Sequence, residues 1–316
     1  MVPSPPKAIL FDIGGVCVIS PFRAILDYEI AHNIPEGYIN FAIQKGPLAT
    51  GAWQQIERGE VPLDDTWFAR FKAQLENRSA WAEFRSKRNL EKDGEKEDDV
   101  NPPTIDAKSL FWDMMRISRT PDPYMYPALL RLAHFTQTVM PKVAHEQRGE
   151  GKEVPQFILG ALSNTIAFPT AAVDNHGEAF TSSLLHRSPL SPTLFPPHLP
   201  NFDPANISTH FDIYLSSAHL GVRKPDPAAY RLAVRELSRL SEARGTGVVE
   251  PGDVVFLDDI GANLKGAKGV GLRTIKVPLG GTKGAVKELE EMIGKKLLVS
   301  GGDEEQKERK TKSSKL

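Results

Sequence analysis

Two carboxylates stand side by side at Asp258-Asp259, directly after the apolar run 254–257. Adjacent carboxylates following a buried strand repel each other unless a proton or a cation lies between them. Oxygen ligands of this kind suit Mg²⁺, which keeps several waters and joins carboxylates to a phosphate. A third carboxylate, Asp12, ends the apolar run 8–11 and leads into Gly14-Gly15. The carboxyl end of a buried parallel strand is where open α/β sheets bind ligands, and the two glycines let the backbone turn and approach one. Asp followed by Gly is equally ordinary turn chemistry. The run 157–162 is followed by Ser163-Asn164-Thr165, whose hydroxyl and amides could hold an anionic oxygen or simply cap a helix. Lys224 precedes Pro225-Asp226-Pro227, a helix-start signal, from which a lysine can reach back over the strand ends or extend into solvent. An apolar run ending in Asp-Asp also resembles the metal-binding strand of nucleotide triphosphatases. That chemistry needs a Gly-x-x-x-x-Gly-Lys-Ser/Thr loop, which the sequence lacks.

These residues need strands to carry them. Five short apolar runs, 8–11, 157–162, 211–215, 254–257 and 273–277, read as strands buried on both faces. Helical stretches such as 225–240 separate several of them, which predicts a parallel sheet flanked by helices. About 145 residues separate the first two runs, far more than one crossover needs, so a helical insertion is expected over residues 18–120. All four tryptophans (Trp53, Trp67, Trp81, Trp112) fall there. They either fill the core of that insertion or, in one or two cases, line an apolar substrate cavity. Four polar or proline-rich stretches, 85–99, 141–155, 188–204 and the tail from Ser300, are expected to be poorly ordered. The domain reading is therefore a core of residues 1–17 and 121–298, a helical cap of 18–120 with a charged insertion near 85–103, and a flexible tail, 299–316.

Composition excludes other classes. Lys plus Arg number 39 and Asp plus Glu 40, a formal charge of −1, so the basic excess of nucleic-acid binders is missing. The single Cys17 rules out an intramolecular disulfide framework and a cysteine zinc cluster, and the eight histidines show no metal-ligand spacing. No stretch approaches the roughly 18 apolar residues of a membrane helix. The opening Met1-Val-Pro-Ser-Pro-Pro-Lys7 runs directly into a strand-like run, and no signal peptide is expected there. A soluble, intracellular, reduced protein is expected.

Strand-Asp12, strand-Ser163, Lys224 before a helix and strand-Asp258-Asp259, in that order, resemble the four motifs of the haloacid dehalogenase-like (HAD) hydrolase superfamily. The likeness is strongest to the phosphatase-like N-terminal region of soluble epoxide hydrolases and to the HAD-like region of acyl-CoA dehydrogenase fusions. The stretches 51–60 and 111–117 support it. The resemblance implies an α/β, Rossmann-like parallel-sheet core with an inserted α-helical cap. It further implies Asp12 as nucleophile on a small organic phosphate, forming an aspartyl-phosphate, and Lys224 as its counter-charge. Ser163 and Asn164, with Lys224, would hold phosphoryl oxygens. The metal would be Mg²⁺ on Asp12, the Gly14 carbonyl, Asp258 and Asp259.

One position departs from the pattern. Phosphatases of this family usually carry a second Asp two residues after the nucleophile, as general acid and base. Gly14 keeps the carbonyl and lacks that side chain, a contribution of about 10²- to 10⁴-fold. Three readings stay open: a substrate with a good leaving group such as an acyl phosphate, an acid supplied from elsewhere, or weak or absent activity. A carbon–halogen hydrolase on the same fold needs no such acid but also no metal, and a non-catalytic phospho-ligand binder is the other alternative. The final Ser314-Lys315-Leu316 matches the peroxisomal address and predicts capture by the import receptor, with a cytoplasmic location as the alternative. Asn77 and Asn206 begin Asn-x-Ser glycosylation patterns, expected to be inert without a secretory signal.

Overall fold

The computed structural model describes residues 4–90, 101–137, 157–181, 185 and 202–298. Five parallel strands form one sheet: β1 (Ala8–Phe11), β2 (Ile158–Ser163), β3 (Ile213–Ser216), β4 (Val254–Asp258) and β5 (Arg273–Lys276). Their order is β3-β2-β1-β4-β5, so the chain starts in the middle and winds outward both ways. The pleat explains the continuous apolar runs. Ile9, Phe11, Leu159, Ala161, Val255 and Leu257 belong to the apolar cluster on one face of the sheet. Their alternating neighbours Ala8, Leu10, Ile158, Leu162, Val254 and Phe256 belong to the cluster on the other. This is the expected α/β, Rossmann-like parallel-sheet core.

Strand limits shift by a residue or two for identifiable reasons. Phe157 is buried but precedes the ladder, whose first pair is Ala8 with Ile158. Asp212 exchanges with Leu159 through its own amide and its carboxylate (both 2.8 Å). That side-chain bond replaces a ladder step, so β3 starts at Ile213 instead of 211. β4 gains Asp258, paired in register with Lys276.

Helices α1 (Phe22–Ala31), α2 (Tyr38–Lys45), α3 (Ala52–Glu57), α4 (Asp65–Leu75), α5 (Arg78–Lys87) and α6 (Ala107–Ile117) lie between β1 and β2 in the chain. They enclose their own apolar cluster, in which Trp53, Trp67, Trp81 and Trp112 are all buried. Packing is thus the role of the tryptophans, with Trp53 also on a cavity wall. Ile166 and Phe180, from the segment after β2, join that cluster. The charged run from Arg85, expected to be unordered, begins inside α5: Arg85 and Lys87 form its last turn, where cations suit the negative helix end. Residues 91–100 lie outside the described residues.

Helix α7 (Met125–Gln137) and, late in the chain, α11 (Thr282–Ile293) cover one face of the sheet. A single turn, α8 (Ser217–Leu220), follows β3. Helices α9 (Pro227–Ala243) and α10 (Gly261–Gly269) cover the other face. Helix α9 starts two residues later than expected because Asp226 is its cap, accepting from the Ala228 amide at 2.8 Å, and Pro227 takes the first turn. Helix α3 meets the sheet domain at α8. Gly59 has φ +67°, and a Cβ there would overlap the Ala218 carbonyl, so only glycine allows this approach. Asn77 and Asn206 spend their side-chain oxygens capping, on the amides of Ala80 and Ser208. The stretch 141–155, most of 188–204 and the tail with Ser314-Lys315-Leu316 lie outside the described residues. Among the described residues no helix is long and apolar enough to cross a membrane.

One buried histidine gives the fold a pH dependence. His210 is buried; its Nδ1–H donates to the Asn206 carbonyl (3.1 Å), and Nε2 accepts from the Tyr126 hydroxyl (2.9 Å). Burial lowers its pKa from 6.5 to about 4. The unfolded chain binds the proton first, so stability falls as pH drops from 6.5 towards 4. The full effect is on the order of 3 kcal/mol. Denaturant unfolding of wild type and His210→Gln at pH 7 and pH 4.5 checks it: the loss should shrink in the variant, and equal losses would refute the assignment.

Candidate active site

The sheet register builds the site. Phe11 pairs with Ala161 on one side and Leu257 on the other, so the residues just beyond these strands emerge together at one edge. Ser163 and Ser216 are themselves a registered pair. Asp12, Ser163, Lys224, Asp258 and Asp259 are gathered there. The fixed cation is Lys224, 1% exposed, with Nζ 2.7 Å from Asp12 Oδ1 and 2.8 Å from Asp258 Oδ2. A lysine in that place is held, not solvated. Asn164 explains how: its Oδ1 accepts from the Lys224 amide (2.9 Å) and its Nδ2 donates to the Lys224 carbonyl (3.0 Å). The Asn164 side chain therefore positions the lysine.

Asp12, Asp258 and Asp259 each offer a carboxylate oxygen, all within 4.8 Å of one another. Three carboxylates, Asp12 and Asp258 buried and Asp259 partly so, face one ammonium. Burial pushes Asp12 well above the usual carboxylate range; Lys224 pulls it down, and Asp258 and Asp259 push it further up. Burial, then Asp258, raises Asp259 to about 7. Burial disfavours the Lys224 ammonium, but Asp12 and Asp258 outweigh this and raise its pKa.

The two adjacent aspartates have different surroundings. Asp258 is fully buried and well supplied: Lys224 Nζ, the Ile260 amide (2.8 Å) and Asn263 Nδ2 (3.1 Å to each oxygen) all donate to it. Asp259 has Ser20 Oγ at 3.4 Å from Oδ2, while its Oδ1 is buried without a hydrogen-bond partner. An orphaned carboxylate oxygen is costly, and a cation beside Asp12 would satisfy it, so the donor set fits Mg²⁺. Gly15 makes the arrangement possible. Its φ is +77°, and a Cβ would overlap Asp259 Oδ2. Gly14 lines the same cavity and adds no side chain. Cys17 is fully buried, its Sγ 3.4 Å from the Asp12 carbonyl, and burial raises its pKa well above the ordinary value. It packs and is not a reactive thiol.

The site opens into a cavity of about 800 Å³ between sheet and helical insertion. Phe22, Ile43, Trp53, Met114, Met115 and Phe168 make its far wall mostly apolar. At its edge Glu57 of α3 pairs with Arg223 at 2.5 Å, next to the site lysine. Ser217 Oγ donates to the Glu57 carbonyl (2.5 Å) and accepts from the Thr165 amide (2.9 Å). These contacts tie the insertion to the strand ends. Sequence reasoning missed Asn263, Ser20 and the Glu57–Arg223 pair. Asn263 was findable, standing five residues after Asp258; the others depend on contacts between distant segments.

No protein-family model matches the chain. Mouse acyl-CoA dehydrogenase family member 10 is 25% identical over 290 residues, 91% of this chain and 19% of that protein. Pig bifunctional epoxide hydrolase 2 is 39% identical over 89 residues, 28% of this chain and 14% of that protein. The chain thus spans less than a fifth of the length of these relatives. A solved HAD family enzyme from Bacteroides thetaiotaomicron, in a magnesium complex, superposes with a TM-score of 0.41 at 16% identity, covering 88% of this chain and 96% of that one. The mouse and pig proteins are relatives of the two kinds that the sequence resembles, and the chain carries an acidic cluster at the strand ends of a parallel α/β sheet.

Proposed function

We propose that the protein is a Mg²⁺-dependent phosphatase that acts on a small organic phosphate through an aspartyl-phosphate. The observation that carries this is the cluster itself: two buried carboxylates and a partly buried third with an orphaned oxygen, around a single clamped lysine. Bound among Asp12, the Gly14 carbonyl and Asp259, with Asp258 behind them, Mg²⁺ would supply the positive charge that lets an anionic nucleophile approach an anionic phosphate. Asp12 attacks phosphorus and the leaving oxygen departs; water then cleaves the acyl phosphate. Lys224 faces both Asp12 and the transferred group and offsets their charge. The Thr165 amide is committed to Ser217, which narrows the phosphate-holding role to Ser163 Oγ and the Asn164 main chain. Asp258, with its donors supplied by Asn263 and Ile260, holds Lys224 in place.

Gly14 supplies no general acid two residues after Asp12, so substrates whose leaving group needs no proton suit the site best. The apolar cavity supports a substrate with an apolar body. A metal-free carbon–halogen hydrolase would gain nothing from the paired carboxylates. The reading includes peroxisomal import through Ser314-Lys315-Leu316, resting on that tripeptide alone.

The test is a panel of acyl, aryl and alkyl phosphates. Hydrolysis is expected in millimolar Mg²⁺, fastest for acyl and aryl esters, and is expected to vanish in chelator. Persistence in chelator refutes the metal role. An inert panel refutes catalysis, and retained phosphate binding in that case would favour the non-catalytic binder.

A further inference from the structure

Arg119 has no role in the chemistry above, and its surroundings are unusual for a guanidinium. It lies just after α6, where the chain returns from the insertion: Ile19 donates to the Thr120 carbonyl (2.8 Å) and Asp122 to the Cys17 carbonyl (3.0 Å). That pairing holds Arg119 beside the segment leaving the Asp12 loop. The residue is 4% exposed and lines the same cavity as Asp12. Its guanidinium stacks on Phe180 with the carbon 3.7 Å from the ring centroid. Phe180 in turn packs on Trp112 and Phe168.

What is missing is a counter-charge. Among the described residues Arg119 has one hydrogen bond, from Nη2 to the Ala179 carbonyl at 3.3 Å, and no carboxylate within ion-pair distance. Its Nε is buried without a partner. Asp174, the nearest acid in electrostatic influence, is engaged by Arg116 at 3.6 Å and by the amides of His176 and Glu178. An always-charged group with five donors is therefore buried on an aromatic wall with a single neutral acceptor. Buried charges are normally paired, because an unpaired one is strongly unfavourable. Stacking on Phe180 leaves the planar edge of the guanidinium as the part that can grip a carboxylate or phosphate by two parallel bonds.

We infer that Arg119 binds a second anionic group of the ligand, so that the cavity selects an organic phosphate carrying a carboxylate or a further phosphate across an apolar spacer. This rests on the phosphatase reading for the position of the first phosphate at Asp12. Arg119 is then a specificity residue, distinct from the reacting groups.

The test uses non-hydrolysable probes, so that it does not depend on turnover. Alkyl phosphonates of two to eight carbons are compared with their ω-carboxy and ω-phosphono counterparts by calorimetry in Mg²⁺. At one spacer length the doubly anionic probe is expected to bind about tenfold or more tightly than the plain one, as charge-assisted hydrogen bonds provide. Arg119→Gln and Arg119→Met should bring that ratio to about one, while Arg119→Lys keeps part of it. The carboxy and phosphono series tell which anion is read. Pairs that bind the wild type within about twofold at every length overturn the inference, as does a preference that survives Arg119→Met. Should a variant fail to fold, the wild-type comparison alone decides. Failure of the phosphatase reading looks different: phosphates are then not hydrolysed, whatever the ratio of the two probe affinities.

Discussion

Asp12→Asn is expected to abolish phosphate hydrolysis, by at least about 10⁴-fold, as loss of a covalent nucleophile does elsewhere. The same substitution is not expected to lower stability in the absence of metal, and this separates chemistry from folding. Asp12 is buried (7% exposed) and shares Lys224 with Asp258, while Asp259 adds a third carboxylate. Removing one partner of an isolated buried pair costs about 3–5 kcal/mol. Here the lysine keeps Asp258 at 2.8 Å, and the substitution relieves repulsion among three acids. Initial rates on an aryl phosphate, with thermal unfolding of both proteins in chelator, test both halves. Activity within about tenfold of wild type rules out Asp12 as nucleophile. A large fall in unfolding midpoint would mean that the Asp12–Lys224 pair is structural first.

The residues proposed for the site were legible because they stand at the ends of strands whose sequence can be read. A run such as Ala8–Phe11, apolar at every position, has to be a strand buried on both faces, so Asp12, the next residue, lies at the sheet edge. The same holds for Ser163 and for Asp258. Lys224 was legible by order and not by pattern, since a lysine before a helix is ordinarily solvated. Its burial comes from Asn164, 60 residues away in sequence, and no local rule predicts that clamp. Asp258 and Asp259 read as one motif, yet their surroundings divide them: Asn263 and Lys224 fill the oxygens of Asp258, and Asp259 keeps an open one. Arg119 was invisible for the same reason. Its significance lies in having, among the described residues, no acid within ion-pair distance, which only the folded arrangement reveals. The misplaced start of β3 is the converse case: a carboxylate, Asp212, mimics a ladder bond that an apolar run had suggested the backbone would make.

Gly14→Asp is expected to raise the rate on alkyl phosphates by about 10²-fold or more, within the range that a positioned general acid contributes. Acyl phosphates should gain far less, because their leaving group needs no proton, so the ratio between the two substrate types is the decisive readout. The backbone permits the substitution. Gly14 does not lie in the left-handed region, and a Cβ would sit 3.3 Å from Pro21 Cδ, a contact that a few tenths of an ångström of movement relieves. Pro21 opens the helical insertion immediately before α1, so that movement would be transmitted towards the cavity wall. The double variant Gly14→Asp/Pro21→Ala removes the contact and should equal or exceed the single one. A fourth carboxylate also joins three that already exceed the single lysine, so both variants should be less stable than wild type in chelator and regain more on adding Mg²⁺. If both fold, respond to Mg²⁺ in this way and still fail to improve on alkyl phosphates, the missing acid is not what limits the site. The rate would then be set by how the cavity seats its ligand, and the substrate would be one that never required a proton at position 14.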